Sequence, residues 1–209
     1  IIGVVYFFRF MSLKSKFSED SLVECGCDEA GRGSLAGPLY AAAVVFPNDY
    51  YNDQINDSKQ LNRKKRETLR ELILRDATAY AVVSISEKEI DQINILNASI
   101  KGMNDAVKQL SLQPELLLID GNRFYSDLGI PYRCIVKGDA TFLSIAAASI
   151  LAKTYRDDFM ESIDNEYPMY GWKSNKGYPT AAHQRAILEY GLSPYHRKSF
   201  HLKNQLTLF

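Results

Sequence analysis

The chain lacks a long apolar run, an excess of charge of either sign, and paired cysteines, and each absence excludes a class of protein. Its most hydrophobic stretch is residues 1–10, Ile-Ile-Gly-Val-Val-Tyr-Phe-Phe-Arg-Phe, which is too short to span a bilayer. That decapeptide has neither the basic start nor the small-residue cleavage site of a signal peptide. Met11 is the expected natural start, with an edge strand as the alternative reading of residues 1–10. Lysine plus arginine (25) equals aspartate plus glutamate (25), which excludes a protein that coats DNA by bulk charge but not a local basic groove beside an acidic centre. Cys25, Cys27 and Cys134 are odd in number and lack ligand spacing, so neither a disulfide scaffold nor a zinc site is expected. Reduced thiols in a cytoplasmic protein are the plain reading. Repeats, low-complexity runs and linkers are also missing.

What is present is the length and apolar content of one core-forming domain: 209 residues, 46% hydrophobic and 24% charged. Residues 22–28, 39–46, 78–85, 116–119 and 132–136 read as strands. The Gly-rich turn between the first two suggests a hairpin. Helices are expected over 61–75, from Ser86, whose spacing to Glu89 fits a capping box, and over 97–110, 142–163 and 180–190. Ala146-Ala147-Ala148-Ser149 would let the fourth of these pack closely against a sheet. Three strands followed by helix, strand, strand and helix describe a mixed α/β layer.

Four carboxylates stand out. Asp28 and Glu29 close the first strand, Asp120 closes the fourth, and Asp157 lies on the long helix. Strand ends are where side chains leave the core of an α/β sheet and chemistry concentrates. Carboxylates gathered there could not all stay ionised without cations, and hard oxygen ligands select Mg²⁺ or Mn²⁺. Two ions about 4 Å apart would clamp both oxygens of a phosphodiester displacement. Each residue also has a structural reading: Asp120-Gly121-Asn122 is a good turn, and Asp157 can pair with Lys153 one helical turn away. Neighbours on a strand point to opposite faces, so Asp28 and Glu29 share a site only if the backbone bends.

Asp28-Glu29-Ala30-Gly31-Arg32-Gly33-Ser34-Leu35-Ala36-Gly37-Pro38 resembles the opening motif of the ribonuclease HII family. So do Asp57-Ser58-Lys59-Gln60-Leu61, Ser144–Lys153 running into Arg156-Asp157, Asn175–Thr180 with His183, and His196–Phe200. The resemblance runs from Leu22 to Phe200, in order and at family spacing. It implies a ribonuclease H-like mixed five-stranded sheet flanked by helices, with a helical C-terminal part. The implied boundaries are an extension over 1–21, a catalytic domain over 22–203 and a tail over 204–209. Asp28, Glu29, Asp120 and Asp157 are implied as catalytic and metal-binding residues for Mn²⁺ or Mg²⁺. The implied activity cuts RNA–DNA hybrids, and duplex DNA on the 5′ side of an embedded ribonucleotide, leaving a 5′-phosphate and a 3′-hydroxyl.

Gly31, Arg32, Gly33 and Tyr178 match the positions that read the RNA–DNA junction. Glycines admit close backbone approach, and a 2′-hydroxyl both donates and accepts hydrogen bonds. A hairpin turn and a surface aromatic are their structural readings. Lys59 and Arg197 are the expected phosphate contacts, whereas at least half of Arg63–Arg66 reads as a solvated helix face. His183 and His196 are expected to be structural or to lie beside phosphate.

The glycine triplet and short N-terminal segment separate the chain from the ribonuclease HIII branch. Thr141-Phe142-Leu143 and Tyr155 depart from the family pattern without touching a ligand position. At the end, Gln205, Leu206, Leu208 and Phe209 resemble the peptide by which bacterial repair proteins dock on the sliding clamp; folding back as a strand is the alternative. A monomer with no membrane association is expected. A nucleic-acid-binding protein with a decayed site and a ribonuclease H-fold DNA nuclease are the rival readings. The four carboxylates speak against the first, and the junction-reading residues against the second.

Overall fold

The computed structural model describes residues 13–55 and 63–200. The Asp57–Leu61 segment with Lys59, the decapeptide 1–10 and the tail 205–209 lie outside the described residues. Five strands form one sheet: β1 (Glu24–Ala30), β2 (Leu39–Val45), β3 (Ala79–Ile85), β4 (Leu116–Asp120) and β5 (Tyr132–Ile135), in the order β3-β2-β1-β4-β5. The first three are antiparallel neighbours, while β4 and β5 run parallel to β1. This is the mixed sheet expected from the element order.

Strand alternation assigns each residue to a face. Cys25, Cys27, Ala41 and Ala43 pack on one side against α2 (Glu87–Lys108), with Ile90, Ala98 and Met103. Ala42 and Val44 face the other side, where α3 (Leu143–Asp164) and α1 (Arg63–Asp76) cover them. The alanines of α3 allow the close packing they suggest. At Gly26 the α3 backbone of Ser144 and Ile145 occupies the space where a Cβ would stand. A side chain there would push the long helix off the sheet.

The helices end where side-chain chemistry ends them. Ser86 caps α2 by accepting the Glu89 amide at 3.2 Å, and Thr180 caps α5 (Ala181–Tyr190) through the His183 amide at 3.2 Å. The two helices expected around residue 95 are one kinked element. Asn94 breaks it with φ 66° and ψ 166°, and its Oδ1 re-caps the chain through Leu96 N and Asn97 N at 3.0 and 3.1 Å.

Residues 13–20, expected as part of an extension, pack against the start of α3. Lys14 exchanges backbone hydrogen bonds with Thr141 and Leu143, and Phe17 meets the Phe142 ring at 5.8 Å. The unusual Thr141-Phe142-Leu143 segment is the seat for that docking. A C-terminal cluster of Met160, Tyr170, Trp172 and Ala186, with Ala36, joins α3, α4 (Trp172–Asn175) and α5 to the segment following β1. It carries the turn around Tyr178 to the open end of the sheet.

Candidate active site

The register explains why two of the carboxylates meet. β1 and β4 are parallel, with Cys27 opposite Ile119, so Asp28 and Asp120 follow side by side on strands about 5 Å apart. β1 extends to Ala30, two residues beyond its expected end, and keeps Asp28 and Glu29 inside the ladder opposite Ala42 and Ala41. The two side chains therefore point to opposite faces. Asp28 bonds to Ser149 of α3, whereas Glu29 bonds to Ser99 of α2 and pairs with Arg32 at 3.3 Å.

No bend brings the two onto one face; instead, hollows on both faces meet at the sheet end. One, about 300 Å³, is lined by Asp28, Glu29, the Gly31-Arg32-Gly33 triplet, Asp120, Lys153, Asp157 and Tyr178. The other, about 380 Å³, lies on the α2 side and shares Glu29, Arg32 and Asp120 with the first.

Electrostatics tie three of the carboxylates together. Burial pushes the Asp28 carboxyl well above the usual range, and the charges of Glu29 and Asp120 push it the same way. The Ser149 hydroxyl and the Glu29 amide, which donates to Asp28 Oδ1 at 2.7 Å, oppose that rise. Burial raises Glu29 too, against the pull of Arg32 and Ser99.

Asp157 lines the same cleft from farther along α3. It lies eight residues beyond Ser149 on the same helix, about 12 Å of rise, and pairs with Lys153 at 3.4 Å and Arg66 at 3.8 Å. Among the described residues, no three aspartate, glutamate, histidine or cysteine side chains converge tightly enough to hold a metal ion. The donor set still fits a hard divalent cation, because Asp28, Glu29 and Asp120 repel one another and supply only oxygen.

One carboxylate was passed over by the sequence reading. Asp139 is 1% exposed in the 3₁₀ turn before α3. Its neighbour Gly138 donates its amide to Asp120 Oδ1 at 2.7 Å. The signal was available in the Lys137-Gly138-Asp139 run at the end of β5, where the glycine took the role of a strand stop.

Gly31, Arg32, Gly33 and Tyr178, expected to read the junction, line the same cleft as the carboxylates. Gly31 adopts φ +97°, and the Arg156 guanidinium fills the place of its missing Cβ. Gly33 faces open space, with the Tyr178 ring 3.9 Å from where a Cβ would be. Tyr178 is 38% exposed.

Two buried arginines hold this wall. Arg156 donates to the carbonyls of Pro38, Ala36 and Lys176 at 2.9–3.1 Å. Arg197, expected to contact phosphate, is instead 2% exposed and donates to Gly37 O at 2.9 Å and Arg32 O at 3.1 Å. Two of its guanidinium nitrogens thus meet carbonyls and brace the triplet from behind, while Nη2 has no partner among the described residues. His183 and His196 are likewise buried, and the His183 ring meets the Tyr178 carbonyl at 3.0 Å. On α1, Arg63 pairs with Glu67 and Glu161, and Arg70 with Asp158, so part of that basic run is tied to α1 and α3 acids.

The described helices include none long and apolar enough to cross a membrane. The family model described as Ribonuclease HII matches residues 25–203. A Ribonuclease HII of Bacteroides thetaiotaomicron is 59% identical over 181 residues, covering 87% of this chain and 90% of that protein. The crystal structure of the ribonuclease H2 from Pyrococcus horikoshii superposes with a TM-score of 0.72 at 26% identity, covering 85% of this chain and 93% of the other. The RNase HII in a PCNA complex from Archaeoglobus fulgidus shares the fold, with a TM-score of 0.69, 23% identity, and 89% and 98% coverage. Sequence and fold agree: the chain belongs to the ribonuclease HII family, divalent-metal-dependent endoribonucleases of the ribonuclease H type.

Proposed function

We propose that this enzyme cuts on the 5′ side of a ribonucleotide embedded in duplex DNA, as well as within RNA–DNA hybrids, at the joined end of β1 and β4. The observation that carries the reading is the placement of Asp28, Glu29 and Asp120 across one cleft from Gly31, Gly33 and Tyr178. Asp28, Glu29 and Asp120 would hold Mn²⁺ or Mg²⁺, with Asp157 the fourth carboxylate of the sequence reading. Bound divalent ions supply Lewis-acid stabilisation to both oxygens of the phosphodiester displacement. A water oxygen joins phosphorus, the bond to the 3′ oxygen breaks, and that oxygen leaves with a proton. A 5′-phosphate and a 3′-hydroxyl result.

The chain's own groups position the substrate. Gly33 leaves its backbone bare beside the cleft, so a 2′-hydroxyl reaches the main chain there. The Tyr178 ring stands across that gap and stacks on the next sugar, where an extra hydroxyl is unwelcome. Lys153 and Arg32 face the cleft as cations for the flanking phosphates. Lys59, by its motif, is a further phosphate contact. Arg156 and Arg197 set the triplet's shape from behind through main-chain carbonyls.

The fourth carboxylate has a second reading. Asp139, next in the chain to the Gly138 whose amide bonds Asp120, is the competing ligand. If Asp157 serves, Asp157→Asn costs about as much activity as Asp120→Asn and Asp139→Asn costs little; the reverse result gives the place to Asp139.

The tail residues Gln205, Leu206, Leu208 and Phe209 form the proposed clamp-docking peptide. The Archaeoglobus relative, seen with PCNA, keeps similar company. Deleting residues 205–209 abolishes clamp co-elution while cleavage of a short duplex persists. Cys25 and Cys27, unbonded with their sulfurs 3.8 Å apart, suit a reducing cytoplasm.

The activity is tested with Mn²⁺ or Mg²⁺ and a DNA duplex holding one ribonucleotide, beside all-DNA and all-hybrid duplexes. Cutting is expected at the single ribonucleotide and in the hybrid. Equal cutting of all-DNA duplex would remove the junction-reading account.

A further inference from the structure

Behind the Tyr178 turn lies a chain of buried rings whose hydrogen bonds permit one arrangement of protons. The Trp172 indole N–H, which can only donate, points at His183 Nε2 at 3.0 Å. His183 Nε2 must therefore be the accepting nitrogen, and the ring's proton sits on Nδ1. That nitrogen lies 3.0 Å from the Tyr178 carbonyl oxygen, which can only accept. On the second ring, His196 Nδ1 accepts the Ser193 amide at 2.9 Å. Its proton is thus on Nε2, 3.2 Å from the same His183 Nε2.

With both imidazoles neutral each ring nitrogen meets a partner of the opposite kind, Trp172 and His196 sharing the one lone pair of His183 Nε2. A proton added to His183 would aim three donors at one point. Burial holds both rings below their ordinary pKa, in keeping with that arrangement.

The tyrosine at the end of this chain has its backbone fixed. The Tyr178 amide donates to Asn175 O at 2.9 Å, and its carbonyl also accepts the Thr180 amide at 2.8 Å. The Thr180 cap sets His183 in the first turn of α5, so its ring folds back over the turn. Among the described residues the phenol side of Tyr178 has no comparable anchor: its ring stands in the cleft with the Arg156 guanidinium 5.5 Å from its centroid. Its direction is therefore set from the backbone.

We propose that His183, locked in one tautomer by Trp172 and His196, is the positioning residue that aims Tyr178 at the sugar beside the cut. This rests on the reading that Tyr178 contacts that sugar. The two imidazole nitrogens can be replaced separately. In His183→Asn the side-chain amide falls near Nδ1 and keeps a donor for the Tyr178 carbonyl. In His183→Gln it falls near Nε2, keeps the contact with Trp172, and abandons Tyr178.

The experiment measures kcat and KM on the single-ribonucleotide duplex and on the full hybrid, for wild type, Tyr178→Ala, His183→Asn and His183→Gln, with Tm for each. His183→Gln should lower the preference for the single ribonucleotide about threefold to tenfold, the worth of one hydrogen bond. His183→Asn should stay within about twofold of wild type. Both should lose Tm, since each leaves one buried partner unmatched. Equal preference in the Asn and Gln variants, with Tyr178→Ala changed, overturns the positioning role. An unchanged preference in Tyr178→Ala overturns the parent reading instead. Should His183→Gln not fold, His183→Leu removes the Nδ1 donor to the Tyr178 carbonyl while keeping an apolar side chain of similar size in the core. An unchanged preference in folded His183→Leu overturns the proposal as well.

Discussion

Asp28 and Asp120 are neighbours because two parallel strands end together, whereas Gly31, Gly33 and Tyr178 are neighbours because buried side chains reach across the molecule to hold them. On the carboxylate side, placement is a matter of register: Cys27 opposite Ile119 puts the next residues side by side. On the opposite wall, Arg156 and Arg197 bind main-chain carbonyls 20 to 165 positions away, and His183 grips the Tyr178 turn. The first wall is rigid and electrostatically costly in the absence of cations. The second carries, on the proposed reading, the shape that would distinguish one sugar from another. Changes to the first should therefore strike chemistry, and changes to the second should strike stability and selectivity.

The sharpest break in that contrast comes from the carboxylates. Asp120→Asn should lower cleavage about a thousandfold, several kcal/mol of lost charge stabilisation. Asp28→Asn should match it, yet raise the Tm of metal-free protein. The sign follows from burial: ionising Asp28 beside Glu29 and Asp120 is disfavoured in the fold, so at neutral pH its charge works against folding. Asparagine removes that charge. Added Mn²⁺ should then stabilise wild type more than the variant. A thermal melt with and without chelator checks both signs; a lower Tm for metal-free Asp28→Asn would refute them.

On the second wall, Arg156→Met should cost about 3 kcal/mol or more, because three buried carbonyls lose a charged donor. Arg156→Lys should not restore it, since one ammonium cannot match the guanidinium fork. Urea unfolding gives the loss, and a lysine variant as stable as wild type would sink this account.

A smaller effect appears in acid. His183 and His196 both titrate below the ordinary histidine value, His196 down to about 4. As pH falls the unfolded chain takes up protons first, so stability is whole above about pH 6.5 and declines toward pH 4. His196→Asn should flatten the slope of the urea midpoint between pH 6.5 and 5. An equal slope in the variant would place the acid sensitivity elsewhere.

This contrast also explains what could be read from the residues alone. Strand ends and the alanine face of α3 follow from periodicity and local turn chemistry, which sit within short windows, whereas the Asp28–Asp120 pairing needs the parallel register of β1 and β4. The family resemblance supplied Tyr178 and the glycine triplet. The bracing by Arg197 was not legible because the partners are carbonyls, and a carbonyl has no letter in a sequence. Asp139 was missed for the opposite reason: Lys137-Gly138 looked like a strand stop, and only the fold shows the Gly138 amide on Asp120. The separation of Asp157 from Ser149 is set by helical rise, but its pairing with Arg66 depends on how α1 crosses α3.

The smallest expected effect is at Gly33, because the two glycines of the triplet serve different ends. Gly31 sits at φ +97° with Arg156 in the place of its Cβ. Gly31→Ala therefore meets both backbone strain, about 1–3 kcal/mol, and displacement of the arginine that braces the wall. Gly33 has ordinary backbone and only the Tyr178 ring at van der Waals range. Gly33→Ala should leave Tm within about a degree or two, since neither strain nor collision arises. Its methyl should still narrow the slot between main chain and Tyr178, raising KM for the single-ribonucleotide duplex several-fold with kcat little changed. If both alanine variants lost stability equally, the slot would be a structural turn. If Gly33→Ala changed neither Tm nor KM, the sugar would bind elsewhere.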